Sequence, residues 1–130
     1  MDPVMLVTGG SRGIGAATSL MAAKYGYAVA VNYRSNREAA DRVVAAIEKD
    51  GGRAIAVAAD MAVEDDVVAL FETVDAELGP VTCLVNNAGI VDDPCPVAEM
   101  SAERISRMMA VNVVGPFNAA REAIKRMSTK

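Results

Sequence analysis

Short apolar runs alternate along this chain with longer stretches in which apolar residues recur every three or four positions. The runs are Val4–Thr8, Ala28–Tyr33, Ala54–Ala58 and Thr82–Asn86. Each is too short for a stable helix and reads as a buried strand. The stretches between them read as helices: Gly13 to Tyr25, one opened by Ser35-Asn36-Arg37-Glu38 and running to Asp50, and a third that carries Val67, Phe71, Val74 and Leu78 on one stripe. A last helix is predicted from about Ser101 to Met127, with Ile105, Met109, Phe117 and Ile124 among its apolar positions. The punctuation agrees with these elements. Gly26 suits a C-terminal cap, and Ser35-Asn36-Arg37-Glu38 matches a capping box whose helix Gly51-Gly52 closes. Glu64-Asp65-Asp66 sets three acids in a first turn, Gly79-Pro80 ends that helix, and Asp92-Asp93-Pro94 with Pro96 marks a loop. Wholly apolar strands joined by amphipathic helices predict a parallel sheet covered on both faces, the doubly wound α/β class. The expectation is one domain over residues 1–130, with four strands.

Composition narrows the function. The chain has 130 residues, 52% hydrophobic and 23% charged, enough for one sizeable core. Its net charge is −4, with no long basic run, so neither nucleic acid nor an anionic membrane is an expected partner. Aromatics are 4% and tryptophan is absent, which leaves no stacking platform for single strands. No apolar stretch approaches the length of a bilayer. Met1-Asp2-Pro3 lacks the basic and apolar regions of a signal peptide, so the cytoplasm is the expected location. Histidine is absent, which rules out Ser-His-Asp or Cys-His nucleophiles and any histidine metal site. Cys83 and Cys95 form no close ligand pair, no metal is expected, and both read as buried thiols. The eight methionines, mostly helical, read as core filler.

The chemistry gathers at the strand ends. Thr8-Gly9-Gly10-Ser11-Arg12-Gly13-Ile14-Gly15 lies between the first strand and the first helix. Such a turn carries bare N–H groups to a helix N-terminus, a site suited to phosphate. Its Gly-x3-Gly-x-Gly spacing is not Gly-x-Gly-x-x-Gly, and no Lys-Ser/Thr follows as in a P-loop. The second strand ends in Tyr33-Arg34, where a dinucleotide fold meets the adenosine ribose. An acid there would repel a 2′-phosphate, and this chain has Arg34 instead, with Arg12 in the turn. Two guanidinium groups can bracket a phosphate, which favours NADP(H) over NAD(H). The competing reading is a solvated arginine at a strand end. Asp60 follows the third strand and can accept from an adenine amino group while Met61 packs on the base; helix capping is its rival role. Asn86 and Asn87 close the fourth strand, either as a clamp between strands or beside a ligand, and Ala88-Gly89 leave space there. Pro116 stands four residues after Asn112, so the Asn112 carbonyl loses its helical partner and can hold a water, or the proline simply kinks the helix.

Together, Thr8-Gly-x3-Gly-x-Gly15, Asp60, Asn86-Asn87-Ala88-Gly89 and Val111-Asn112 resemble the short-chain dehydrogenase/reductase family, in order and spacing along essentially the whole chain. The resemblance is closest to bacterial 3-oxoacyl-(acyl-carrier-protein) reductases and glucose dehydrogenases. It implies an NAD(P)-binding Rossmann fold and oxidation or reduction of a small alcohol/carbonyl substrate. It gives cofactor contacts to Gly9, Ser11, Arg12, Gly13, Ile14 and Gly15, to Tyr33, Arg34 and Ser35, to Asp60 and Met61, and to Asn87, Ala88, Gly89 and Val111. It gives Asn112 the catalytic task of anchoring a water through its carbonyl. It also implies a homo-tetramer or homo-dimer built partly on the last helix.

One departure is large. The family's proton donor is the tyrosine of Tyr-x-x-x-Lys, with a serine before it. Four residues after Tyr25, Tyr27 and Tyr33 stand Val29, Val31 and Arg37, so no such motif occurs. The chain is therefore expected to be the cofactor-binding part of a longer reductase, inactive alone. Two alternatives are a non-catalytic dinucleotide-binding or interaction module and another Rossmann enzyme, such as a methyltransferase using S-adenosylmethionine. The latter would want an acid where Arg34 stands.

Overall fold

The structure, a computed structural model, describes residues 2–90 and 93–128. Strands β1 (Val4–Val7), β2 (Ala28–Tyr33), β3 (Ala54–Ala58) and β4 (Cys83–Val85) form one sheet in the order β3-β2-β1-β4. All three pairings are parallel, with Val4 opposite Ala28, Val29 opposite Ala54 and Met5 opposite Cys83. Helices α1 (Gly13–Lys24), α2 (Arg37–Lys49) and α3 (Glu64–Glu77) link the strands. After β4 come a 3-10 turn at Val97–Glu99, then α4 (Ala102–Met109), a π-helical segment (Ala110–Val114) and α5 (Gly115–Met127).

Strand side chains point alternately to the two faces. Val4, Leu6, Ala28 and Ala30 pack with Val67, Leu70, Phe71 and Val74 of α3 and Ala119 and Ala123 of α5. Val7, Val29 and Val31 pack on the other face with Ala22 of α1 and Ala40, Val43 and Ile47 of α2. The predicted doubly wound layering is thus what forms, and the apolar stripe Val67, Phe71, Val74 and Leu78 is buried. After β3 the chain places β4 on the far side of β1. Ligand clefts of open α/β sheets lie beyond the strand ends at such a reversal.

Several details differ from expectation. Thr8, Thr82 and Asn86 lie just outside their strands. The cap of α2 is Asn36, whose side chain accepts from Ala39 N at 3.1 Å; Ser35 lies one residue too early. The cap of α3 is Val63, without a side-chain bond, so Asp60 does not cap that helix. Both cysteines are free and only half-buried; for Cys83 the reason is that β4 is an edge strand. Met61 is buried, but Met21, Met109 and Met127 are exposed rather than core filler. Met109 and Met127 share the outer side of α4 and α5 with Phe117 and Ile124, which are 73% and 63% exposed. Asp92 of the expected loop lies outside the described residues. Among the described residues, no helix is long and apolar enough to cross a membrane.

Candidate functional site

Beyond the β1 end the chain reverses through the glycine turn. Gly9 and Gly13 take positive φ values of 60° and 56°. Gly15 is needed for space: a Cβ there would sit 2.2 Å from Gly9 O and 2.6 Å from Asn87 Nδ2. Ser19, fully buried one turn after Gly15 in α1, donates to Gly15 O at 2.9 Å and Gly10 O at 3.4 Å.

Two buried polar groups fix the turn to the sheet. The Thr8 hydroxyl accepts from Asn87 N and Ala88 N, both at 3.0 Å, and donates to Val85 O at 3.3 Å. Asn32, in the middle of the sheet and 2% exposed, accepts from Gly9 N at 3.0 Å through Oδ1. Its Nδ2 donates to Val57 O and Ala59 O, so one side chain joins the ends of β1, β2 and β3. Asn87 Nδ2 donates to Thr8 O and Gly9 O. That is the clamp foreseen for the paired amides, and it leaves Asn87 facing the cleft as well. Asn86 Nδ2 donates to Pro116 O at 3.1 Å and ties the β4 end to α5.

These elements enclose a cleft of about 520 Å³, a volume in the ordinary range for small-molecule sites. Of the residues named from the sequence, Gly9, Ser11, Arg12, Gly13, Tyr33, Arg34, Ser35, Asp60, Met61, Asn87, Ala88, Gly89 and Val111 line it. Three do not. Ile14 points outward at 79% exposure. Gly15 lies beneath the turn and shapes it. Asn112 is set behind the wall, where Oδ1 accepts from Ile90 N at 2.8 Å and Nδ2 donates to Ile90 O at 2.9 Å. It sits in the π-helical segment that precedes Pro116.

The lining also includes Asn32, Asn36, Ala59, Ile90 and Arg107, which sequence reasoning missed. A lone amide in an otherwise apolar strand was a signal for Asn32, because a buried amide needs partners. Arg107 stands four residues before Val111, one turn away on a helix.

The electrostatics are mostly cationic at the outer end of the cleft. Arg12 occupies the N-cap position of α1 in extended conformation and lines the cleft. Arg34 Nε stands 3.6 Å from Asp60 Oδ2, with Arg34 57% and Asp60 26% exposed. That is longer than a hydrogen bond, and an exposed pair of this kind holds weakly. Asp60 is oriented instead by its own backbone, since Oδ1 accepts from Ala62 N at 2.9 Å. The cleft thus brings together the glycine turn, the cationic Arg12 and Arg34, and Asp60, Met61 and Val111.

A model of the short chain dehydrogenase family matches residues 3–130. The chain belongs to the short-chain dehydrogenase family. It is 50% identical over 127 residues to an uncharacterized oxidoreductase, YgfF, of Escherichia coli K12, covering 98% of this chain and 51% of that protein. It is 43% identical over 124 residues to the 3-oxoacyl-[acyl-carrier-protein] reductase of Synechocystis, covering 95% and 50%. Among solved structures, a blue fluorescent protein from a metagenomic library in complex with NADPH superimposes with a TM-score of 0.91 at 40% identity. That match covers 96% of this chain and 51% of the other. This short-chain dehydrogenase segment therefore spans about half the length of the relatives it matches.

Proposed function

We propose that the chain is the cofactor-binding part of an NADP(H)-dependent oxidoreductase acting on a small alcohol/carbonyl substrate. The carrying observation is the β2 end, where Arg34 stands in place of an acid and Arg12 shares the cleft. Guanidinium groups can take a 2′-phosphate bidentately, whereas a carboxylate at this position would repel it. The glycine turn and the α1 N-terminus receive the pyrophosphate, and Asp60 and Met61 receive the adenine. Asn112 holds the Ile90 backbone through its side chain. Pro116 removes the N–H that its carbonyl would accept from in an α-helix, which leaves that oxygen for a water. The nicotinamide, when bound, supplies or accepts the hydride, and these residues orient it. The exposed outer side of α4 and α5 suits assembly as a homo-tetramer or homo-dimer.

Charge reversal tests this reading. Arg34→Asp should invert the preference for NADPH over NADH, read as two dissociation constants. Unchanged preference in that variant would sink it. The second reading, a non-catalytic dinucleotide-binding module, draws on the absence of Tyr-x-x-x-Lys among these residues. On either reading the 130-residue chain should reduce no carbonyl with NADPH. Turnover by the purified chain would mean that another proton donor exists here.

A further inference from the structure

We propose that Arg107 is a third cationic residue of the dinucleotide cleft and that its guanidinium addresses the adenosine part of the cofactor. The inference rests on reading the cleft as an NADP(H) site. Arg107 lies on α4 and lines the same cleft as Arg12 and Arg34. Its Nη2 is shielded from solvent and, among the described residues, has no hydrogen-bond partner. A shielded cationic N–H group without an acceptor is costly, and natural structures rarely keep one without a use. Arg107 itself lines the cleft, so the ligand that fills it lies within reach of a guanidinium lacking an acceptor at Nη2.

The fold indicates which part of the ligand it meets. At Gly115 the helix presses on the end of β3 so closely that a Cβ would stand 2.3 Å from Met61 O. Val111, one turn before, is buried and lines the cleft, and Arg107 lines it one turn earlier still. The wall formed by Arg107 and Val111 thus starts beside Met61 and runs outward from there. That is the side of Met61, assigned to adenine. Adenine offers ring nitrogens as acceptors and a π face on which a guanidinium can lie. Such a contact is blind to the 2′-phosphate. Arg107 therefore differs from Arg34: it sets overall nucleotide affinity and leaves the choice between NADP(H) and NAD(H) alone.

Calorimetric titration with 2′,5′-ADP and with ADP separates the two roles. Arg107→Gln should weaken both ligands by the same factor, roughly tenfold for one charge-assisted contact, with its melting temperature near that of the unmutated protein. Affinities unchanged from those of the unmutated protein in that variant would overturn the proposal. So would a loss confined to 2′,5′-ADP, which would move Arg107 to the 2′-phosphate. If the unmutated protein binds neither nucleotide, the cofactor reading itself fails and this inference fails with it. One readout needs no variant. The Arg107 Nε–Hε NMR signal should shift on adding ADP, and an unmoved signal at saturation would refute the contact.

Discussion

Asn32, Thr8 and Gly15 decide the shape of the cleft, although none is built to touch a substrate. Asn32 and Thr8 hold the strand ends to the glycine turn, and Gly15 lets the turn close over α1. The glycines were legible because their spacing sits between a strand and a helix. Asn32 was not, because an amide in a strand carries no mark of which backbone groups it will satisfy. Gly15→Ala should lower stability by about 1–3 kcal/mol, the range for overpacking a tight site, and weaken NADPH binding at least tenfold. Thermal melting and fluorescence titration would check both. Gly13→Ala meets open space but keeps a positive φ of 56°. It should cost only about 1–2 kcal/mol. A smaller stability loss at Gly15 than at Gly13 would contradict the argument from the Gly9 and Asn87 contacts.

The last helix shows how far an element can be read from its residues. Its span from Ser101 to Met127 was legible, and so was the break ahead of Pro116. That the break is a π-helical widening, with Asn112 turned to grip Ile90, depends on the loop after β4 and was not. A second hidden feature lies on α5. Glu122, 4% exposed, receives hydrogen bonds from Arg121, Lys125 and Arg126. Arg126 also pairs with Asp75 of α3 at 2.9 Å and stacks 5.0 Å from the Phe71 centroid. Burial alone would raise the Glu122 carboxyl, but the hydrogen bonds from the three cations outweigh it and hold it below the usual range. Its folded value is thus lower than its unfolded one, about 4.3. The stability it contributes is complete above that unfolded value and is lost as pH falls through the folded value. Glu122→Gln should cost about 2 kcal/mol at pH 7. That is below the 3–5 kcal/mol typical of breaking a fully buried pair, since Arg121 and Lys125 reach water. Urea midpoints at pH 7 and pH 3 should show the gap narrowing in acid. A gap that is constant with pH would refute the role given to the carboxylate.

At the scale of the whole molecule, wholly apolar strands and striped helices were enough to specify a two-faced parallel sheet. In that sheet β4 lies at one edge, with no strand beyond it among the described residues. Beside that edge, Val114, Phe117 and Ile124 are 50–73% exposed. An open edge next to exposed apolar side chains favours self-association. The 130-residue chain should therefore elute above monomer size in light-scattering chromatography at high concentration, and Phe117→Lys with Ile124→Lys should reduce that mass. A sharp monomer peak for the unmutated chain would contradict this. The central claim is that the cleft binds a dinucleotide and prefers the one carrying a 2′-phosphate. Its most direct test is the ratio of NADH to NADPH dissociation constants at one ionic strength. The account predicts NADPH tighter by roughly 10- to 100-fold, the range for charge-assisted bonds to one phosphate; equal affinities, or tighter NADH, would contradict it.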